Sequence, residues 1–211
     1  SINNRIEIQK KYIEENDYDL IGGISQMIDE NGKSIYSIKK VPTNMDKIKK
    51  ALRYNQIISH PTWFGKKEVF EKLNGYRNMP LCEDYDFTLR AVLNGYKISN
   101  IDETVLKYRM TSSSISRSNL YEQYLFARFI TKKYSKNKIA DIKEAKQYVN
   151  NHNDDRKAKR YLKANARFNI ALKDIEEKKY FKFIIDGILL TFTSFNYLDK
   201  IYRFVKVSSY S

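Results

Sequence analysis

Glu83-Asp84-Tyr85-Asp86 puts three carboxylates into four residues, at the point where an apolar helical pattern begins. Carboxylates there lie on the positive end of a helix dipole, which favours them as a structural cap. The same placement suits general-base chemistry. A helix start fixes the carboxylate while leaving it open to a cleft. A base of this kind takes a proton from a weak nucleophile such as a hydroxyl. On these residues alone both readings stand, and Asp86 reads first as a stabiliser of the opening turn.

The surroundings narrow the choice. From His60 the chain runs HPTWFGKKEVFEKLNGYRN, then MPLCEDYDFTLRAVLNGYKISNI, then ETVLKYRMTSSSIS. An H-P-T with an aromatic and a basic pair is followed by an L-N-G-Y-R turn. Glu-Asp-Tyr-Asp at a helix start comes next, then a G-Y-K-I strand, a Tyr-Arg pair and a Ser-rich segment. In this order and at these spacings the series resembles the inverting family-2 glycosyltransferases of the GT-A fold, above all bacterial enzymes that build surface polysaccharides. The Arg5-Ile6-Glu7-x-Gln9 opening is similar to the helix that follows the metal-binding Asp-x-Asp of that family. The resemblance covers roughly residues 1–117.

The resemblance implies that Asp84 is the catalytic base. It would deprotonate an acceptor hydroxyl that attacks the anomeric carbon of a nucleotide-diphospho-sugar in one inverting displacement. Glu83 is implied to hold the acceptor or orient Asp84, and a helix-dipole role stays open. His60 is placed near the cleft, as a partner of acceptor or phosphate or as a structural histidine. Trp63, the one Trp, either stacks on a sugar or fills the core. Arg109 either approaches the diphosphate or closes a surface network. A divalent cation, Mn or Mg, is implied for the full-length enzyme. Its Asp-x-Asp motif is expected upstream of Ser1, so no metal ligand and no bound cofactor are expected in this chain. Asp17-x-Asp19 has the spacing but falls between a helix and a strand and reads as a turn. Where related sequences carry a His after the Tyr-Arg pair, this one has Thr111. The expectation is therefore an acceptor-side fragment, inactive by itself.

The elements that must position these residues can be read from periodicity and turn signals. A helix is expected over Arg5 to Glu15, a strand over Asp19 to Ile28, and a hairpin through Glu30-Asn31-Gly32 to Ser34–Ile38. Thr43-x-x-Asp46 resembles a capping box for a helix running to about Tyr54. Thr62 to Gly65 reads as a short buried strand and Lys66 to Leu73 as a helix. Tyr85, Leu89 and Val92 share one face of a helix over Glu83–Asn94. Tyr96–Ile101 and Thr104–Met110 read as two strands. After Ser118 the pattern is helical throughout. One stripe runs through Ala158, Tyr161, Leu162, Phe168, Leu172 and Ile175. An amphipathic one carries Phe181, Ile184, Ile185, Ile188, Leu189 and Phe192. The fold class expected is α/β: a mixed sheet with helices over 1–117, then an all-α basic extension over 118–211.

Composition bounds the alternatives. The 211 residues carry 39 Lys and Arg against 25 Asp and Glu, a net charge of +14. Residues 1–116 hold 18 against 15 and residues 117–211 hold 21 against 10, so the excess lies in the helical part. Such asymmetry suits an anionic surface and says nothing about fold. One Cys and two His exclude a disulfide framework and a His- or Cys-rich zinc site. No uncharged apolar run reaches the roughly 20 residues of a membrane span, and Ser1 to Lys10 shows no signal-peptide core. The expected location is cytoplasmic; the C-terminal helices either pack on their neighbours with a solvated basic face or lie peripherally on the inner face of the plasma membrane. The partners expected are a nucleotide-sugar donor and a glycan or lipid-linked acceptor. A homo-oligomer is a further expectation, from strand edges that a missing half would leave open. No nucleic-acid motif is present, which places a basic nucleic-acid module behind a non-catalytic scaffold in polysaccharide assembly as an alternative function.

Overall fold

A computed structural model describes residues 1–37, 40–110, 119–176 and 193–210, with isolated positions between 178 and 190. It shows a mixed α/β region followed by a helical stretch. Strand β1 (Leu20–Ile28) is the centre of the sheet. On one side it pairs antiparallel with β2 (Ser34–Ser37) at its C-terminal end and with β3 (Phe64–Gly65) at its N-terminal end. On the other side it pairs parallel with β4 (Ile98–Arg109). A parallel partner needs a crossover, and the intervening residues supply α2 (Met45–Ala51), α3 (Lys67–Lys72) and α4 (Glu83–Leu93). Helix α1 (Arg5–Asn16) precedes β1 and packs on it and on β4.

Two expected strands over 96–110 are one. Between Gly22↔Asn100 and Ile24↔Thr104 β1 advances two residues while β4 advances four. A bulge therefore absorbs the polar Asp102-Glu103, which reads as a turn in the sequence, and pairing resumes to Ile28↔Arg109. The cap of α2 is also one residue later than the capping box suggests. Asn44 accepts from the Asp46 and Lys47 amides at 3.0 and 3.2 Å. The segment expected as a strand from Thr62 is a 3₁₀ turn over His60–Thr62 followed by the two residues of β3. Asp17 ends α1 in the left-handed conformation and pairs with Lys66 and Lys97, so Asp17-x-Asp19 is a helix stop, as its position implies.

The turn before β3 is bolted to the sheet centre by a buried threonine. Thr62 Oγ1 accepts from the Gly23 amide at 2.9 Å and lies 2.6 Å from the Ser59 carbonyl. β1 can pass beneath it because Gly22 has no side chain. A Cβ at Gly22 would sit 2.8 Å from both Asn100 Oδ1 and Ile58 Cγ2.

Helices α5 (Leu120–Tyr134), α6 (Ile142–His152), α7 (Asp155–Glu176) and α8 (Phe195–Ser208) form the C-terminal stretch. The expected boundary near 117 lies outside the described residues. One hydrophobic core nevertheless runs from Leu20, Ile48 and Phe87 through Phe126 and Tyr161 to Tyr197. Of the expected α7 stripe, Tyr161 is buried, Ala158 and Phe168 pack half-buried against the core and Leu162 is exposed, while Ala164 and Ala171, outside the stripe, are buried. The smaller alanines let α7 approach its neighbours where larger side chains would hold it off. Most of the amphipathic stripe between Phe181 and Phe192, the Ser-rich segment and Thr111 lie outside the described residues. Among the described residues no helix is long and apolar enough to cross a membrane.

Candidate active site

Helix α4 carries the carboxylates at its first turn, as its sequence implies, and its start is held by α5. Leu81, immediately before the cap residue Cys82, adopts a left-handed backbone with φ 60°. That conformation is strained for a branched side chain. Gln123 on α5 stabilises it: its Nε2 donates to the Leu81 carbonyl at 3.0 Å, and Cys82 Sγ faces the Gln123 carbonyl at 3.6 Å. The direction in which α4 leaves the loop is thus set by the C-terminal helices.

The three carboxylates then separate by environment. Asp86 is buried, its side chain 3% exposed. Arg77 Nε and Arg90 Nε each donate to Asp86 Oδ2 at 2.9 Å, and Arg77 also reaches Oδ1. Arg90 continues to the Leu73 and Gly75 carbonyls at 2.7 Å, and Arg77 to the Ala140 carbonyl at 2.9 Å. This carboxylate ties the 73–77 loop, α4 and the turn before α6 together, which makes it part of the frame of the site. Glu83 is exposed beside the cleft.

Asp84 is half-buried and lines a cavity of about 240 Å³. Its Oδ1 accepts from the Tyr85 amide at 2.7 Å. Burial pushes its carboxyl above the usual carboxylate range, and neighbouring Glu83 adds to the rise. The Tyr85 amide, nearby His60 and the Gln56 side chain oppose it. A carboxylate with its proton affinity raised is a better acceptor for a hydroxyl proton than an ordinary surface Asp.

His60 lies close enough to Asp84 to act on its charge and Trp63 packs on His60, but neither lines the cavity that Asp84 lines. His60 Nε2 lies 2.9 Å from the Tyr76 hydroxyl, and its ring packs edge-on against Trp63 at 4.7 Å. Trp63 stacks towards Tyr76 at 6.2 Å and rests on Phe87 at 5.4 Å, while its Nε1 donates to the Ile58 carbonyl at 3.0 Å. Trp63 is half-buried, so one part of the ring belongs to the core. Burial and the carboxylates of Asp84 and Glu83 raise the Tyr76 hydroxyl above its ordinary value, which keeps it a donor. Arg109 is elsewhere. It is exposed at the far end of β4 and donates to the carbonyls of Asp29 and Glu30 in the hairpin turn.

Several residues of the site carry no motif in the sequence. Gln56 bridges α4 from the loop after α2, with its Nε2 2.9 Å from Thr88 Oγ1. Tyr76 lay in view within the Gly-Tyr-Arg turn. Arg128, Tyr161, Lys200 and Arg203, from α5, α7 and α8, line the same cavity as Asp84. Only their helical periodicity was legible, and periodicity does not say which distant helix covers a cleft. Among the described residues no group of three or more His, Cys, Asp or Glu is placed to hold a metal ion.

No family model matches the chain, and no solved structure matches it. Two curated relatives do. It is 33% identical over 135 residues to a protein of Methanocaldococcus jannaschii named an uncharacterized glycosyltransferase, covering 64% of this chain and 47% of that protein. It is 35% identical over 136 residues to the O-antigen biosynthesis glycosyltransferase WbnJ of Escherichia coli, covering 61% of this chain and 52% of that protein. The chain thus spans about half the length of the curated relatives it matches.

Proposed function

We propose that this chain is the acceptor-side part of an inverting glycosyltransferase of family 2, with Asp84 as its general base. The observation that carries the reading is the Asp84 carboxylate: fixed at a helix start, raised by burial, and open to a cavity. The names of the two relatives support glycosyl transfer in general. The acceptor hydroxyl gives its proton to Asp84 as its oxygen bonds to the anomeric carbon. The bond from that carbon to the nucleoside diphosphate breaks in the same step, which inverts the configuration. A sugar hydroxyl is a weak nucleophile, so a positioned base supplies about 10²–10⁴ in rate. Tyr76 and His60, joined by a hydrogen bond beside Asp84, position the acceptor. Trp63 offers the exposed part of its ring to a sugar face. The described residues do not form a ligand set for the divalent cation that the resemblance implies. The acceptor is a glycan or lipid-linked saccharide, and the donor a nucleotide-diphospho-sugar.

The test uses a longer form that carries a nucleotide-binding segment ahead of Ser1. It is screened with nucleotide-sugar donors and Mn²⁺ or Mg²⁺, and nucleoside-diphosphate release is followed. The expected result is acceptor-dependent release that Asp84→Asn abolishes while the 211-residue chain is silent. Full transfer by the Asp84→Asn form overturns the base assignment.

A further inference from the structure

The cavity beside Asp84 has a second wall, and its chemistry is unlike the first. Three cationic side chains line it, Arg128, Lys200 and Arg203, against the one carboxylate of Asp84. Arg203 is partly engaged, by Asp199 at 2.8 Å and Thr131 at 3.1 Å. Lys200 has no carboxylate partner among the described residues. Its Nζ sits 5.6 Å from the Tyr161 ring centre and 5.3 Å from that of Tyr197. Tyr161 lines the cavity too. It is fully buried, and its hydroxyl has no hydrogen-bond partner among the described residues. A half-buried ammonium without an anion and a buried hydroxyl without an acceptor are both unfavourable in isolation. An anionic group entering the cavity answers the ammonium directly, and it answers the covered Tyr161 hydroxyl once that ring turns toward it. The surface beyond continues the theme. A wider depression of about 680 Å³ shares Arg128 and Arg203 and adds Arg53, Lys132 and Lys136, with Asp199 its one carboxylate.

We propose that this wall is a phosphate subsite for the acceptor: Lys200, Arg128 and the Tyr161 hydroxyl hold a phosphate or diphosphate that the acceptor carries close to its reacting hydroxyl. Placing that hydroxyl at Asp84 rests on the glycosyl-transfer reading, whereas the anion site rests on the cavity itself. An uncharged acceptor leaves Lys200 and Tyr161 unanswered. A phosphate supplies oxygen acceptors to both and meets the Arg128 guanidinium with charge-assisted hydrogen bonds. The subsite also gives the basic C-terminal helices a task beyond general attraction to anionic surfaces. They select acceptors, while the α/β region supplies the base.

The test needs neither donor nor turnover. Inorganic diphosphate is titrated into the 211-residue chain by calorimetry at low salt, and a polyprenyl diphosphate in detergent micelles is titrated in parallel. Saturable binding is expected, weakened about tenfold or more by Lys200→Met and by Arg128→Met, kept by Lys200→Arg, and untouched by Lys143→Met on exposed α6. Tighter binding of the micellar probe assigns the phosphate to a lipid-linked acceptor, and equal binding assigns it to a phosphate-bearing glycan. Absence of saturable binding with both probes overturns the proposal. So does binding that Lys200→Met and Lys143→Met affect alike. A longer form that is inert with every donor, while diphosphate binding survives, sinks the transfer reading and leaves the anion site standing.

Discussion

Gln56 and Thr88 lock the cavity loop to helix α4: Gln56 Nε2 donates to Thr88 Oγ1 at 2.9 Å, and the Thr88 hydroxyl donates onward to the Asp84 carbonyl at 3.0 Å. The other end of the Gln56 amide accepts from the Ile57 and Ile58 backbone amides. The same side chain favours the ionised Asp84 carboxylate. Replacing Gln56 by Leu removes that help. The acid limb of the pH–rate profile is expected to move to higher pH, with the helix content unchanged. An unmoved limb would show that Gln56 acts on the fold and not on the base.

Asp84 sets activity against stability. Its folded carboxyl is raised above its unfolded value, so the contribution it makes to stability is present at low pH and lost as pH rises through the folded value. Asp84→Asn is therefore expected to raise the melting temperature at neutral pH, and the gain should vanish below the unfolded carboxylate range. On the proposed reading, the same substitution in the longer form is expected to lower transfer by about 10²–10⁴ or more. Thermal melts at several pH values and a product assay give the two numbers. A variant less stable than the parent at pH 7 contradicts the assignment of burial as the main cause.

Asp86 should behave in the opposite way. Asp86→Ala strips a buried carboxylate from two guanidinium groups, leaving buried Arg90 and partly buried Arg77 with carbonyl partners but no counter-charge there. Breaking a buried pair from one side costs about 3–5 kcal/mol. The urea midpoint is expected to fall accordingly, with the slope unchanged. A loss below about 1 kcal/mol would place Asp86 among exposed pairs, against its burial.

Gly22 is tested by a single methyl. In Gly22→Ala the new Cβ meets Asn100 Oδ1 and Ile58 Cγ2 at 2.8 Å. Overpacking of this kind costs roughly 1–3 kcal/mol. The His60 turn sits on the same strand, so chemical shifts of His60 and Tyr76 should move as well. A variant of parental stability would mean that the turn shifts freely, and the geometry beside Asp84 with it.

What the sequence reveals depends on whether the cause is local. Helix α4 is legible because Tyr85, Leu89 and Val92 repeat at helical spacing and the acidic first turn marks its start. Strand β4 is split in the sequence because Asp102-Glu103 looks like a turn, and only pairing with β1 carries the chain across the bulge. Asn44 and Thr43 are both good caps, and one residue of register decides between them. The cleft is half legible. His60, Trp63 and Asp84 lie on short spacings within one stretch of chain. Tyr161 and Lys200 come from helices far along the sequence and become neighbours only through the packing of α7 against α8. Asp86 shows the limit of residue type: its sequence context is that of Asp84, and only burial against Arg77 and Arg90 makes it a residue of the frame.

The Arg77 hydrogen bond to the Ala140 carbonyl and the core that joins Phe87 to Phe126 and Tyr197 bear on how variants of this chain can be built. The helical stretch is not a cassette. A chimera that exchanges residues 119–210 for those of a relative must also import the surfaces facing them, from Leu81 and Cys82 to the 73–77 loop. Recombination breakpoints that respect these contacts lie inside the turns of the α/β region, and not at the change from strands to helices. On the proposed reading, changing acceptor choice is then a matter of point changes at Arg128, Tyr161 and Lys200 on an intact frame.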